Sequence, residues 1–585
     1  MTNMQGTRRA KKRLAIAAAW VISLPLSGCI TRDVPPFDPR EITRANREGS
    51  EESPRFGMPA LPTTMQMYVP STQAAATRTS LPAPGEVRIV RMPIREVMQR
   101  AAANNPEVKV AGYDPAIAGT RVIEDAARYD PIAFTNLRYD KQFDRTPGTV
   151  IPNPINPSLG NVTIDVENNN IYTVESGVKQ YLDSGGQISL SYQTQISDYS
   201  PVRFVRNNYW DNQLKLQLTQ PLLREFGYEV NWARITVGRN DQRISVLDFR
   251  GKLEDNTNEL EKDYWQLWQA QKEIEAQEEL LEQTRVFADL LWRQYILQGR
   301  ATILEASQGV SQLSLRQRDL LRAQAHAADL SDDIKRRMGD PKFPIAQPIQ
   351  VLPADDPVTQ PLEFELQDQI NTALLNRLEL GQQQLRINSA DVARLVAENA
   401  LLPKLDFVGT AALQGLSGNF GDSLSDQFGK GHMVYSLGLQ LEIPLGNREA
   451  QSIYWRARLQ IIQAMWEYRR LVNEISTDVS LADREVHTAW ESIHHAQNAR
   501  MYADQALTAL NQRQESGQQP LDPEFVELKL QRQEELANAK RQEAAEIANY
   551  NIALARLEKA KGTILRYNNI VMEEDRLPWN VPLPR

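Results

Sequence analysis

A single cysteine, Cys29, stands in 585 residues, which excludes a disulfide framework and any multi-cysteine zinc site. Long hydrophobic runs are equally scarce. Hydrophobic residues make up 41% of the chain, and the one apolar run, residues 14–28, is too short for a membrane-spanning helix. A helical-bundle membrane protein is therefore excluded. A β-barrel is not, because its alternating strands barely register in mean hydropathy. An excess of one charge is lacking too: 66 basic against 74 acidic side chains leave −8, with no electrostatic ground for binding nucleic acid. No Gly-x-Ser-x-Gly, phosphate-binding loop or His-Glu-x-x-His occurs, so nothing points to an enzyme or a cofactor. His487, Glu491 and His495 recur four apart, but His487 and His494 fall on the polar side of the heptad frame. They read as a solvated helix face, not a metal site.

What is present begins with an address. Arg8, Arg9, Lys11, Lys12 and Arg13 precede the apolar stretch from Leu14 to Leu26, and Leu26-Ser27-Gly28-Cys29 follows. Residues 1–28 read as an export signal. The spacing matches a bacterial lipobox, with Cys29 as the lipidated first residue and Ile30, not aspartate, after it. This resembles an outer-membrane lipoprotein, anchored by acyl chains at ~0.8 kcal/mol per buried CH₂. Residues 29–91, rich in Pro, Ser, Thr and Gly, read as an extended tether without a core.

The remainder reads as a duplication, 92–339 and 362–570, joined by a Pro-rich linker 340–361 and followed by a tail 571–585. Each copy opens with a helix, about 92–128 and 363–400. An offset of 272 pairs Ala101 with Ala373, Glu107 with Glu379 and Pro131 with Pro403. A β region follows in each, 131–221 and 403–444, ending at Pro221-Leu222 and Pro444-Leu445. Leu214, Leu216 and Leu218 alternate with Lys215, Gln217 and Thr219. Tyr435, Leu437, Leu439 and Leu441 alternate with Ser436, Gly438 and Gln440. Alternation alone favours a soluble sheet with one wet face. Closure shifts the balance toward a lipid-facing wall: two candidate strands per copy give four per chain, and the smallest barrels need about eight. Three chains would supply about twelve. The first β region exceeds the second by 49 residues, either an extracellular loop or an added hairpin turning at Gly185-Gly186.

Proline is absent from Leu222 to Asp340 and from Leu445 to Gln519. A helix over 230–298 would be ~100 Å long. Its seam repeats every seven residues through Leu253, Leu260, Leu267, Ile274, Leu281, Ala288 and Tyr295. In the second copy Val472, Val479, Val486 and Ile493 pair with Ile475, Ala482, Ala489, Ala496 and Ala503. Such narrow stripes on otherwise polar helices suit a hollow cylinder of helices. Each helix turns back at a glycine, Gly299 or Gly517, giving hairpins over 228–338 and 447–565.

The lipidated start, the doubled order of elements, and the segments Leu218-Thr219-Gln220-Pro221-Leu222-Leu223 and Leu439-Gln440-Leu441-Glu442-Ile443-Pro444-Leu445 resemble the TolC-type outer-membrane efflux protein family. The resemblance covers residues 92–570. It implies a mixed fold: long helical hairpins forming a coiled-coil barrel, and four strands per chain joining a trimeric twelve-strand barrel. It further implies the outer-membrane channel of a tripartite efflux or type I secretion system, a passive export duct with no metal or cofactor. Its partners would be two further copies, outer-membrane lipid, a periplasmic adaptor and an inner-membrane pump of RND or ABC type. The lipid face would carry Leu214, Leu216, Leu218, Tyr435, Leu437, Leu439 and Leu441. Adaptor-binding tips would be Gln298, Gly299, Arg300, Ser516, Gly517 and Gln518. The family's acidic gate positions beyond the second tip are Pro523 and Val526 here, a departure, which leaves Glu305, Asp522, Glu524 and Glu527 as gate candidates. The competing reading is a lipid-anchored periplasmic coiled-coil scaffold without a channel.

Overall fold

The computed structural model describes residues 88–144, 167–200, 208–298, 302–429, 432–516 and 522–571. The chain divides into units 1–61 and 62–585, and every described residue lies in the second. The export signal, Cys29, and the tip residues Gly299, Arg300, Gly517 and Gln518 lie outside the described residues.

β1 (Arg88–Met92) leads into the first copy, which opens with α1 (Ile94–Asn104) and α2 (Pro106–Ala126). Four strands follow: β2 (Ile132–Asp144), β3 (Glu167–Tyr181), β4 (Gln187–Ser200) and β5 (Asn208–Pro221). A helical hairpin of α3 (Ala233–Arg293) and α4 (Ile303–Met338) completes it. After β6 (Ile349–Pro353), the second copy runs α5 (Leu366–Asn376), α6 (Leu378–Asn399), β7 (Lys404–Ser417), α7 (Phe420–Gly429) and β8 (Met433–Glu442). It ends with the hairpin α8 (Arg448–Glu515) and α9 (Pro523–Ala560). At 61 and 68 residues, α3 and α8 are ~90–100 Å long. None of the described helices is long and apolar enough to cross a membrane.

The structure repeats at the offset seen in the sequence. The opening helix of each copy breaks at one extended residue, Asn105 (ψ 121°) and Arg377 (ψ 125°), 272 positions apart. Pro106 explains the first break, since a residue before proline avoids the helical region. The second has no proline and keeps the same bend. Each copy's hairpin then ends on a left-handed glycine, Gly339 (φ 57°) and Gly562 (φ 70°). A Cβ there would lie 2.8 Å from the Asn104 carbonyl oxygen, or 3.0 Å from that of Asn376, the residue just before the break. Only glycine allows both the dihedral and the approach.

The heptad seams are the core. Leu260, Leu267, Tyr264 and Ala270 of α3 pack with Ile334 and Met338 of α4 and with Val97 and Met98 of α1. The second copy repeats this with Ile475, Val479, Ala482, Val486 and Ile493 against Ala553, Leu554 and Leu557 of α9. Near the sheet the helices lie in the row α2, α3, α6, α8; toward the tips the row is α4, α3, α9, α8.

Two expectations are corrected. The chain contributes six strands to its large sheet, not four: the order is β2-β3-β4-β5-β7-β8, all antiparallel. The surplus of the first β region includes an additional hairpin, β3–β4, closed by hydrogen bonds from Leu182 N to Gly186 O at 2.7 Å and from Gly185 N to Leu182 O at 2.9 Å. This hairpin turns at Gly185-Gly186 and is one of the two alternatives the sequence left open. The tether and linker also carry strands. β1 and β6 pair in parallel, Arg88 with Ile349 through Met92 with Pro353, and Met92 and Val351 join the core. Five-residue strands more than 250 residues apart leave no local pattern to read.

Candidate functional site

The sheet sorts its residues by face. In an antiparallel ladder directly opposed residues point the same way. Leu214, Leu216 and Leu218 stand opposite Leu413, Ala411 and Gly409, which stand opposite Met433, Tyr435 and Leu437. On the other side they face Tyr192, Leu190 and Ile188, and that side continues through Ser176, Val178 and Val174 to Thr135, Ala133 and Leu137. All seven residues expected on one apolar face therefore share it, and the face extends over all six strands. Tyr139 and Tyr172 add an aromatic pair with ring centroids 4.9 Å apart.

The opposite face is mainly polar, with Phe134 on β2, Ile171 on β3, Val408 and Ala412 on β7 and Val434 on β8 among its members. It carries Asn136, Arg138 and Asp140 on β2, Glu175 and Lys179 on β3, and Ser189, Ser191 and Gln193 on β4. Lys215, Gln217 and Thr219 on β5 and Ser436, Gln440 and Glu442 on β8 continue it. Toward its β8 edge the apolar face is bare: Tyr435, Leu437 and Leu439 are 72%, 71% and 68% exposed. An apolar surface spread over six strands marks an interaction with lipid or protein. Over the far end of β5 and β7 lies α7, tied down by Ser423 Oγ donating to Gly415 O at 2.7 Å and Gln427 Nε2 to Leu413 O at 2.9 Å.

At the opposite end are the hairpin tips. Phe287 and Leu291 of α3 interlock with Val526 and Leu530 of α9. Val526, at one family gate position, is fully buried in that contact, which accounts for an apolar residue there. Lys529 is buried beside it, its ammonium 4.6 Å from the Phe287 ring centroid, and burial lowers its pKa. Two of the four candidate carboxylates cap helices. Glu305 is 2% exposed and accepts from the Thr302 amide at 2.5 Å in a capping box. Asp522 accepts from the Phe525 amide at 2.8 Å as the N-cap of α9. Glu524 and Glu527 are exposed.

Gln298 ends a π-helical turn, Gln294–Gln298, and Ser516 is the C-cap of α8, its amide donating to Gln512 O at 3.0 Å. The sequence reading missed the residues around them. Ile296, Leu297, Ile303 and Leu304 are exposed apolar side chains at the first tip. Apolar pairs flanking Gly299, out of the heptad frame, were the available signal. His487 lies 3.9 Å from Asp483, and among the described residues no group of three or more His, Cys, Asp or Glu side chains is placed to hold a metal.

No protein-family profile and no curated protein matches the sequence. The fold is nonetheless a known one, that of the TolC-type outer-membrane channels. The chain is similar to the *Campylobacter jejuni* CmeC outer membrane channel at 15% identity and TM-score 0.55, over 82% of this chain and 87% of that one. It is similar to the *Vibrio cholerae* outer membrane protein VceC at 14% and 0.55, over 80% and 96%. The open state of the *Neisseria gonorrhoeae* MtrE outer membrane channel matches at 14% and 0.53, over 86% and 98%.

Proposed function

We propose that the chain is a TolC-type outer-membrane channel, a passive trimeric duct that passes export cargo from a periplasmic pump assembly to the outside. The observation that carries the reading is the sheet: mainly apolar on one face, mainly polar on the other, with both edges unpaired among the described residues. A single chain cannot close such a sheet. A ring of copies can, with lipid outside and water within. The helix row supports the same closure. Its end members carry exposed apolar stripes near the sheet, Val110, Tyr113 and Ile117 on α2, and Trp455, Leu459, Ile462 and Trp466 on α8.

In this reading the helices form a coiled-coil tunnel through the periplasm, and Cys29 adds an acyl anchor to a barrel already held by the membrane. The tips dock a periplasmic adaptor, with Ile296, Leu297, Ile303 and Leu304 as the apolar contact beside Gln298, Gly299, Arg300, Ser516, Gly517 and Gln518. Glu524 and Glu527, the carboxylates not committed to caps, face the mouth. An adaptor opens the duct only as far as it binds the open tips better than the closed ones. The chain needs no catalytic group, since the pump supplies the direction of transport.

The test is extraction and conductance. The Cys29→Ser protein should still need detergent for extraction, run as a trimer and conduct ions in a planar bilayer. Release into buffer as a non-conducting species would favour a tethered scaffold.

A further inference from the structure

Resting on that channel reading, we infer that the barrel has eighteen strands, not twelve: all six strands of each of three copies enter the wall, and β8 of one copy ladders onto β2 of the next. Three observations on β2, β3 and the sheet's free edges carry this. First, the ladder does not weaken at β2 and β3. β2 pairs with β3 over thirteen residues and β3 with β4 over fourteen, each longer than the ten of the β7–β8 ladder. A twelve-strand wall would have to strip β3 from β4, trading a fourteen-residue ladder within one chain for pairing with the next copy's β8 and leaving the freed edge of β3 without its strand partner.

Second, β2 and β3 carry the same division of faces as the other four, broken by Lys141 and Asn170 on the apolar side and by Phe134 and Ile171 on the polar side. Leu137, Tyr139 and Val174 lie on the apolar side, with Arg138, Asp140 and Glu175 on the polar side. A hairpin lying outside the membrane would wet the first set for no gain. In the wall, the first set meets lipid and the second meets the water-filled lumen. At thirteen and fifteen residues, both strands exceed the ~9–11 that a tilted spanning strand requires.

Third, the two free edges are complementary. Strand direction alternates across the sheet, so β2 and β8 run in opposite directions. A head-to-tail ring therefore closes with an antiparallel seam and no broken alternation. A seam that opposes Leu437 to Leu137, or to a residue two positions away, keeps apolar with apolar. Because barrel diameter grows roughly linearly with strand number, the lumen at the outer membrane would be about 1.5-fold wider than with twelve strands.

Disulfide mapping in native membranes tests this, in a Cys29→Ser background so that only introduced cysteines react. Leu437→Cys is combined in turn with Ala133→Cys, Thr135→Cys, Leu137→Cys and Tyr139→Cys on β2, and in a second series with Ile188→Cys, Leu190→Cys and Tyr192→Cys on β4. Tyr435→Cys with Ala411→Cys, opposed within one chain, is the intramolecular control. The expected result is a covalent trimer from at least one β2 pair and none from β4. Cross-linking to β4, or to no β2 position in a protein that still runs as a trimer, overturns the eighteen-strand wall and leaves the channel intact. Absence of any trimer in the membrane would instead remove the channel reading itself.

Discussion

Two carboxylates in α3 sit where the heptad seam would place apolar neighbours. Burial pushes Glu254 and Glu261 up to about 7 from 4.5, opposed by Arg250 at Glu254 and by Asn568 at Glu261, with Glu558 adding to the rise. Ionising either group is harder in the folded chain than in the unfolded one. The folded form therefore holds more protons between the two values. Its stability is greatest at the acid end of that window and falls as pH rises to about 7, by up to about 3 kcal/mol per group. Glu254→Gln combined with Glu261→Gln should flatten that slope and raise the melting temperature at pH 8, as thermal denaturation across pH would show. Tyr264 is a different kind of buried polar residue. Its hydroxyl accepts from the amides of Ala354 and Asp355 at 3.0 and 3.1 Å and lies 3.1 Å from the Met92 carbonyl oxygen. It joins the strap that carries β1 and β6 to the helices. Tyr264→Phe should cost about 1–3 kcal/mol in denaturant unfolding, because those buried groups lose their partner.

Strands are where faces are decided. In β8, Leu437 and Ser436 are adjacent in sequence and point to opposite sides. A charge on the lipid side costs ~2–4 kcal/mol at mid-membrane, whereas the lumen side is wet. Leu437→Arg should therefore sharply lower the amount of folded protein in the outer membrane, while Ser436→Arg leaves it near the parent level. Fractionation and heat-modifiable gel migration compare them. Equal loss in both would mean that neither face of β8 meets lipid. The helices repeat the lesson in another period. Their seams were readable because a seven-residue repeat over about nine to twelve turns has no competing explanation. The breaks at Asn105 and Arg377 were not, since only the first has a proline to announce it.

For the assembled protein, the two ends of the helix row matter most. The stripe of Trp455, Leu459, Ile462 and Trp466 has no partner within its own chain's core clusters and faces outward on α8. Trp455→Glu combined with Trp466→Glu should leave the helical content by circular dichroism unchanged and shift the purified protein from trimer to smaller species in light scattering. A stable trimer would show that these side chains do not form the joint between copies.

Much of this was legible before any coordinates. Periodicity located the long hairpins and alternation located β5 and β8, because each is a local regularity forced by backbone geometry. Glu305 and Asp522 stood out in the sequence only as gate candidates, and their roles as caps rest on bonds that only the fold shows. What the chain order could not disclose was anything set by long-range pairing: the parallel β1–β6 strap, six strands in place of four, and the burial of Val526 between hairpins. A residue's face follows from its immediate neighbours, whereas its partner depends on segments brought together from hundreds of positions away.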